Sequence, residues 1–154
     1  MVTSNRAAGA RSRLQLAAQV VGAVFLLVGI LGFIPGITSN FGAMGFAGHT
    51  SDALLLGVFQ VSILHNIVHL LFGVAGVMMA RTPSQAKSYL LYGGIIYLVL
   101  WLYGLIINLN TPANFVPVNM ADNWLHFVLG AGMVALALLL SRQGVGAARP
   151  RTGH

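Results

Sequence analysis

Four long apolar stretches, separated by charged or Gly/Pro-rich breaks, leave this chain few ways to fold. They run approximately Leu14–Ile34, Ala53–Ala80, Tyr89–Leu109 and Asn123–Leu140. A helix needs about 20 apolar residues to cross the hydrocarbon of a bilayer. Three stretches meet that length directly, and the second exceeds it. Composition agrees: of 154 residues, 57% are hydrophobic and 6% are charged. A soluble domain carries about 25% charged residues, so this chain cannot cover a water-exposed surface. The expected fold class is all-α. It is a polytopic four-helix membrane bundle over residues 14–142, between an N-terminal segment (1–13) and a disordered tail (143–154).

The net charge is +6, with Asp52 and Asp122 the only acids. The basic residues sit in short flanks of the apolar stretches, without the aromatic-interleaved patch that nucleic acid requires. Arg6, Arg11 and Arg13 precede the first stretch; Arg81 and Lys87 follow the second; Arg142, Arg149 and Arg151 follow the fourth. All eight fall on one side, so the positive-inside rule makes both termini cytoplasmic. An even number of crossings requires the same, and the expected location is a bacterial plasma membrane. The first stretch follows arginines as a signal peptide would. Its apolar run exceeds the usual 7–15 residues and no small-residue cleavage site follows, so a retained helix is expected. There are no cysteines, which removes disulfides and thiolate chemistry.

Two loops, Pro35–Asp52 and Asn108–Asp122, are rich in Gly, Asn and Pro and are expected to fold onto the outer end of the bundle. The inner loop, Arg81–Ser88, is short and contains Pro83, which predicts that helices 2 and 3 are antiparallel neighbours. No internal repeat stands out.

The second stretch carries Ser62, His65, Asn66, His69, Gly73 and Gly76 at steps of three or four residues, so they share one stripe of a helix. Leu, Ile, Val and Phe on the opposite surface suit lipid, which turns the stripe inward. The fourth stretch offers Asp122, Asn123 and His126. His65 lies 16 residues before Arg81, and His126 lies 16 before Arg142. Both are therefore about 24 Å from the inner anchors and can meet across the bundle. In the third stretch, Tyr89 and Tyr92 fit the inner interfacial belt, as Trp124 fits the outer one. Tyr97 and Trp101 fit ordinary packing, with a place beside the histidines open to them.

Three readings of this polar cluster compete, since ionisable groups inside a membrane are costly and rarely idle. The groups can hydrogen-bond one another as structural links. Alternatively, His65, His69 and His126, with Asp122 or Asp52 nearby, can hold zinc or copper, or two histidines from different helices can hold a haem. The third reading is proton or small-solute passage, though the inner half of helix 2 offers no polar continuation. Catalysis is poorly supported: His65 to His69 has the spacing of a metalloprotease helix, but Asn66 stands where the glutamate base would be. His49 reads as a solvated loop residue, and His154 as part of the tail.

Four motifs occur in order: LGFIPG at Leu31–Gly36, FQVSILHNIVHLLFGVAG at Phe59–Gly76, YLVLWLYG at Tyr97–Gly104 and NFVPVNMADNWLH at Asn114–His126. Together the chain resembles a family of actinobacterial four-helix integral membrane proteins, a domain-of-unknown-function family numbered 4383. The resemblance spans about Leu14 to Ser141 and implies the four-helix fold and a plasma-membrane location. It implies no activity, substrate or cofactor. The functional expectation is a non-enzymatic structural or accessory protein, associated with the lipid bilayer and with a larger membrane complex or a second copy. The alternative is a metal- or haem-binding redox or assembly component.

Overall fold

The computed structural model describes residues 11–146. It is mostly helical, with α1 at Arg13–Leu31, α2 at Ile63–Met79, α3 at Pro83–Ile106 and α4 at Met120–Gly146. Three of these, Arg13–Leu31, Pro83–Ile106 and Met120–Arg142, are long and apolar enough to cross a membrane. The fourth, α2, is apolar but has 17 residues.

Each helix starts where a side chain takes up an orphan N–H group. Ser12 and Gln15 form a reciprocal capping box on α1. The Ser62 hydroxyl accepts from the His65 amide at 3.1 Å on α2. Thr82 caps α3, with Pro83 at its first turn. The Asn119 side chain accepts from the Asp122 amide at 3.0 Å, and the Asp122 carboxylate accepts from the Asn119 amide at 2.9 Å, closing a box on α4.

The caps explain where helices depart from the apolar stretches. Apolar pattern alone does not separate a buried strand from a helix, and residues 53–61 of the second stretch are not helical. They build a hairpin, β2 (Leu54–Leu55) against β3 (Phe59–Gln60), with Leu56 and Gly57 at positive φ in its turn. β1 (Thr38–Ser39) pairs antiparallel with β2, Thr38 opposite Leu55, to complete a small sheet. Ala53, Leu55 and Val61 are buried beneath it, against Val28 and Leu31 of α1. At the other end, α3 starts at Pro83, six residues before the predicted Tyr89. Proline suits a first helical turn because its missing N–H would be unpaired there anyway. α4 begins at Met120 and runs on to Gly146, into the expected tail. The rest of that tail, and most of the N-terminal segment, lie outside the described residues.

The main packing pairs are α1 with α2 and α3 with α4; α2 and α3 touch much less, although three residues join them. α2 and α3 are still neighbours, as the short inner loop predicts: Tyr89 of α3 donates to the Phe72 carbonyl of α2, and Tyr97 packs edge-on to Phe72. Small residues let each pair approach closely, as in other membrane helix pairs. A Cβ on Gly22 would lie 2.9 Å from the Gly73 carbonyl, and a Cβ on Gly94 would lie 2.8 Å from the Gly130 carbonyl. Gly32 is covered by the Asn66 side chain, and Gly104 by that of Asn123. Gly36, by contrast, turns the chain at φ +91° with nothing near it.

These matched contacts expose an internal repeat that the sequence reading missed. Adding 72 to Gly22, Phe25 and Gly32 gives Gly94, Tyr97 and Gly104. Adding 57 to Ser62, Asn66, His69 and Gly73 gives Asn119, Asn123, His126 and Gly130. The second half has a shorter loop and different apolar residues, which hides the pattern in sequence. Equivalent residues also meet at the centre: the rings of Phe25 and Tyr97 lie 5.2 Å apart.

Candidate functional site

His65 and His69 project from α2 into the bundle because one turn separates them on its buried stripe, with their rings 4.6 Å apart. His126 comes from α4, its ring 6.5 Å from that of His65. The equal spacing from Arg81 and Arg142 thus does bring the two together. All three are buried, and one ligand nitrogen from each lies within 4.8 Å of the others.

The walls hold these rings in place. Tyr97 stands edge-on to His126 at 5.1 Å, and Phe25 lies 5.7 Å from His69. Nδ1 of His65 donates to the Pro117 carbonyl at 2.8 Å. A carbonyl only accepts, so the neutral ring carries its proton on Nδ1 and presents a lone pair at Nε2. Nδ1 of His69 and Nδ1 of His126 are buried and have no hydrogen-bond partner among the described residues. A buried nitrogen left in that state costs on the order of 1–3 kcal/mol.

The other predicted residues lie around this centre. Ser62 is the cap of α2. Asn66 turns to α1, where it covers Gly32 and its Nδ2 meets the Met44 sulfur. Asn123 turns to α3 and donates to the Gly104 carbonyl at 3.0 Å. Asp122 accepts from the amides of Gln60 and Asn119, both at 2.9 Å, which ties β3 to the start of α4. It stands at the repeat position of His65 (65 + 57), yet among the described residues it belongs to no metal-sized cluster. Asp52 is exposed on its loop. The backbone carbonyl of His49 accepts from the Gln60 side chain at 3.3 Å. Trp101 packs on Trp124 and Phe127, away from the histidines. Tyr89 is no interfacial residue: it is buried and donates to the Phe72 carbonyl at 3.2 Å, in space that Gly76 leaves open. Sequence reasoning missed the Pro117 carbonyl, since nothing in a Pro/Asn-rich loop signals which carbonyl turns inward.

Three converging imidazoles match the ligand set of a single ion with one open position. At 2.0–2.1 Å bond lengths, tetrahedral geometry places ligand nitrogens about 3.3 Å apart, so an ion would draw these nitrogens closer than the 4.8 Å limit within which they lie. The hydrogen bond from His65 to Pro117 is the outer contact that commonly fixes the tautomer of a ligating imidazole. A haem does not fit. Its two axial histidines must flank a planar macrocycle, whereas these three point together, and the adjoining cavity measures about 120 Å³. Below His69, Gly73 and Gly76 pack directly against α1 and Tyr89.

The profile of a family described as "Domain of unknown function (DUF4383)" matches residues 15–139. No curated protein and no solved structure matches the chain.

Proposed function

Because this chain belongs to the DUF4383 family, whose description carries no activity, we propose its function from its own geometry: a membrane protein that binds one metal ion on His65, His69 and His126. The observation that carries this reading is the cluster of three buried imidazoles, two with an unpartnered nitrogen. Imidazole suits zinc and copper, and with no carboxylate or thiolate in the cluster these are the metals of choice. In this reading the bundle is the mount for the ion, and the loops above it are its cover.

The site sits within a plasma-membrane bundle that all four helices cross, with both termini cytoplasmic and the loops 32–62 and 107–119 at the outer face. Three helices of spanning length support this, as does the placement of all eight basic residues on the termini and the inner connection. Exposed Leu16, Val20, Val24, Leu27 and Ile30 on α1 support lipid as the neighbour of that helix.

The test is elemental mass spectrometry with one ultraviolet–visible spectrum on chelator-free, untagged protein in mild detergent. Near-stoichiometric zinc or copper, lost in His65→Ala, is expected. A metal-free protein that takes up neither ion would return the histidines to a structural role in an accessory protein. A Soret band would restore haem.

A further inference from the structure

The cavity beside the histidines has a direction. Its deep end is formed by His65, His69, His126 and Tyr97, all buried. Its sides are Val68 of α2 and Leu100 and Tyr103 of α3, which are 38%, 40% and 42% exposed. Those exposed side walls belong to α2 and α3, which pack on each other much less than each packs on its main partner. The roof is the segment 113–118, held on one side by the Tyr103 hydroxyl donating to the Ala113 carbonyl at 2.9 Å, and on the other by His65 and Pro117. The roof is itself stiff: Asn114 donates to the carbonyls of Leu109 and Val118 and accepts from the Val118 amide. The space therefore opens sideways, between two helices, toward the apolar surface of the bundle.

We infer that this chamber admits a neutral, single-ring molecule carried in the lipid, of the phenol or quinone class, and presents its ring oxygen to the three-histidine centre. The inference rests on the metal reading for what the oxygen meets, but not for the chamber itself. Three features select the ligand. Among the described residues no Asp, Glu, Lys or Arg lines the space, so an anion or a cation would enter without a partner. The volume of about 120 Å³ is close to the engineered apolar cavity of about 150 Å³ that holds benzene. The polar side chains at the deep end are three imidazoles and the Tyr97 phenol, all able to meet a ring oxygen. An ion held by His65, His69 and His126 would lie at the deep end of the chamber, where a phenol or carbonyl oxygen could complete its ligand set. A substituent or isoprenoid tail on the ring would leave through the α2–α3 seam into lipid.

The test uses the full chain in lipid nanodiscs, loaded with cobalt(II) as a spectroscopic stand-in for zinc, with p-fluorophenol followed by fluorine NMR against empty nanodiscs. Cobalt occupancy is read on the same samples by elemental analysis. A saturable paramagnetic shift is expected in the wild type, lost in Leu100→Trp at unchanged cobalt occupancy, because the indole fills the chamber without touching a ligand. Val68→Trp closes the same space from α2 and serves if the first variant does not fold. Full cobalt with no saturable shift, an equal shift in both proteins, or equal binding of p-fluorobenzoate would overturn the chamber assignment and leave the metal site standing. Absence of cobalt would overturn the metal site alone. The metal-free protein is then titrated with the same probe: saturable line broadening lost in Leu100→Trp supports the chamber, and no broadening overturns it.

Discussion

His69 and His126 hold the same position in the two halves of the chain (69 + 57 = 126), yet they face one another in a single centre, with ligand nitrogens within 4.8 Å. Neither half can build the site alone. Histidine 65 breaks the symmetry, because its counterpart, Asp122, is occupied as a helix cap.

On the proposed metal reading, binding and stability are coupled. An ion that binds only the folded bundle at 100 times its dissociation constant stabilises it by about 2.7 kcal/mol. Adding zinc to chelator-treated wild type should raise its melting temperature in detergent, and the rise should vanish in His126→Gln. An unchanged zinc response in that variant would remove His126 from the ligand set.

Asp122 should behave differently from the histidines, although it lies only four residues from His126. Its carboxylate serves the amides of Gln60 and Asn119. Asp122→Ala should cost about 0.5–2 kcal/mol, the usual range for a lost cap, with metal stoichiometry retained. Thermal melts paired with elemental analysis check this; loss of the ion at intact fold would make Asp122 a ligand.

The helix seams should tolerate no side chain. The Asn123 side chain occupies the place of a Cβ on Gly104, and that of Asn66 the place of one on Gly32. Gly104→Ala and Gly32→Ala should each destabilise by about 1–3 kcal/mol, as overpacking does. Gly132, with nothing near its would-be Cβ, is the control, and Gly132→Ala should be neutral or mildly stabilising. Adding Asn123→Ala to Gly104→Ala should recover part of the loss, since contacting residues couple. Additive losses would mean the two do not compete for the same space.

Orientation is tested by fusion. A periplasm-active reporter placed after Gly144 should be silent, while one inserted after Asn110 should be active. The opposite pattern would invert the bundle.

Much of this was legible from residue order. The eight basic flanks and the apolar lengths carry the membrane character. The three- and four-residue steps from Ser62 to Gly76 placed His65 and His69 on the buried side of α2. Counting back from Arg81 and Arg142 brought His65 and His126 to one depth. Such features are one-dimensional: helical period and rise convert spacing directly into face and depth.

What tertiary structure alone decided depends on which groups meet. Residues 53–61 look like helix by apolarity, but Ser62 caps α2 and the strands satisfy the preceding backbone groups among themselves. Asn66 and Asn123 read as members of the polar cluster, yet each side chain fills the space left by a glycine, Gly32 at the end of α1 or Gly104 of α3. The pairing of α1 with α2 and of α3 with α4, and the repeat that follows from it, were hidden for the same reason. Sequence spacing fixes where a side chain sits on its own helix, but which helix it faces is set by close packing between segments far apart in the chain.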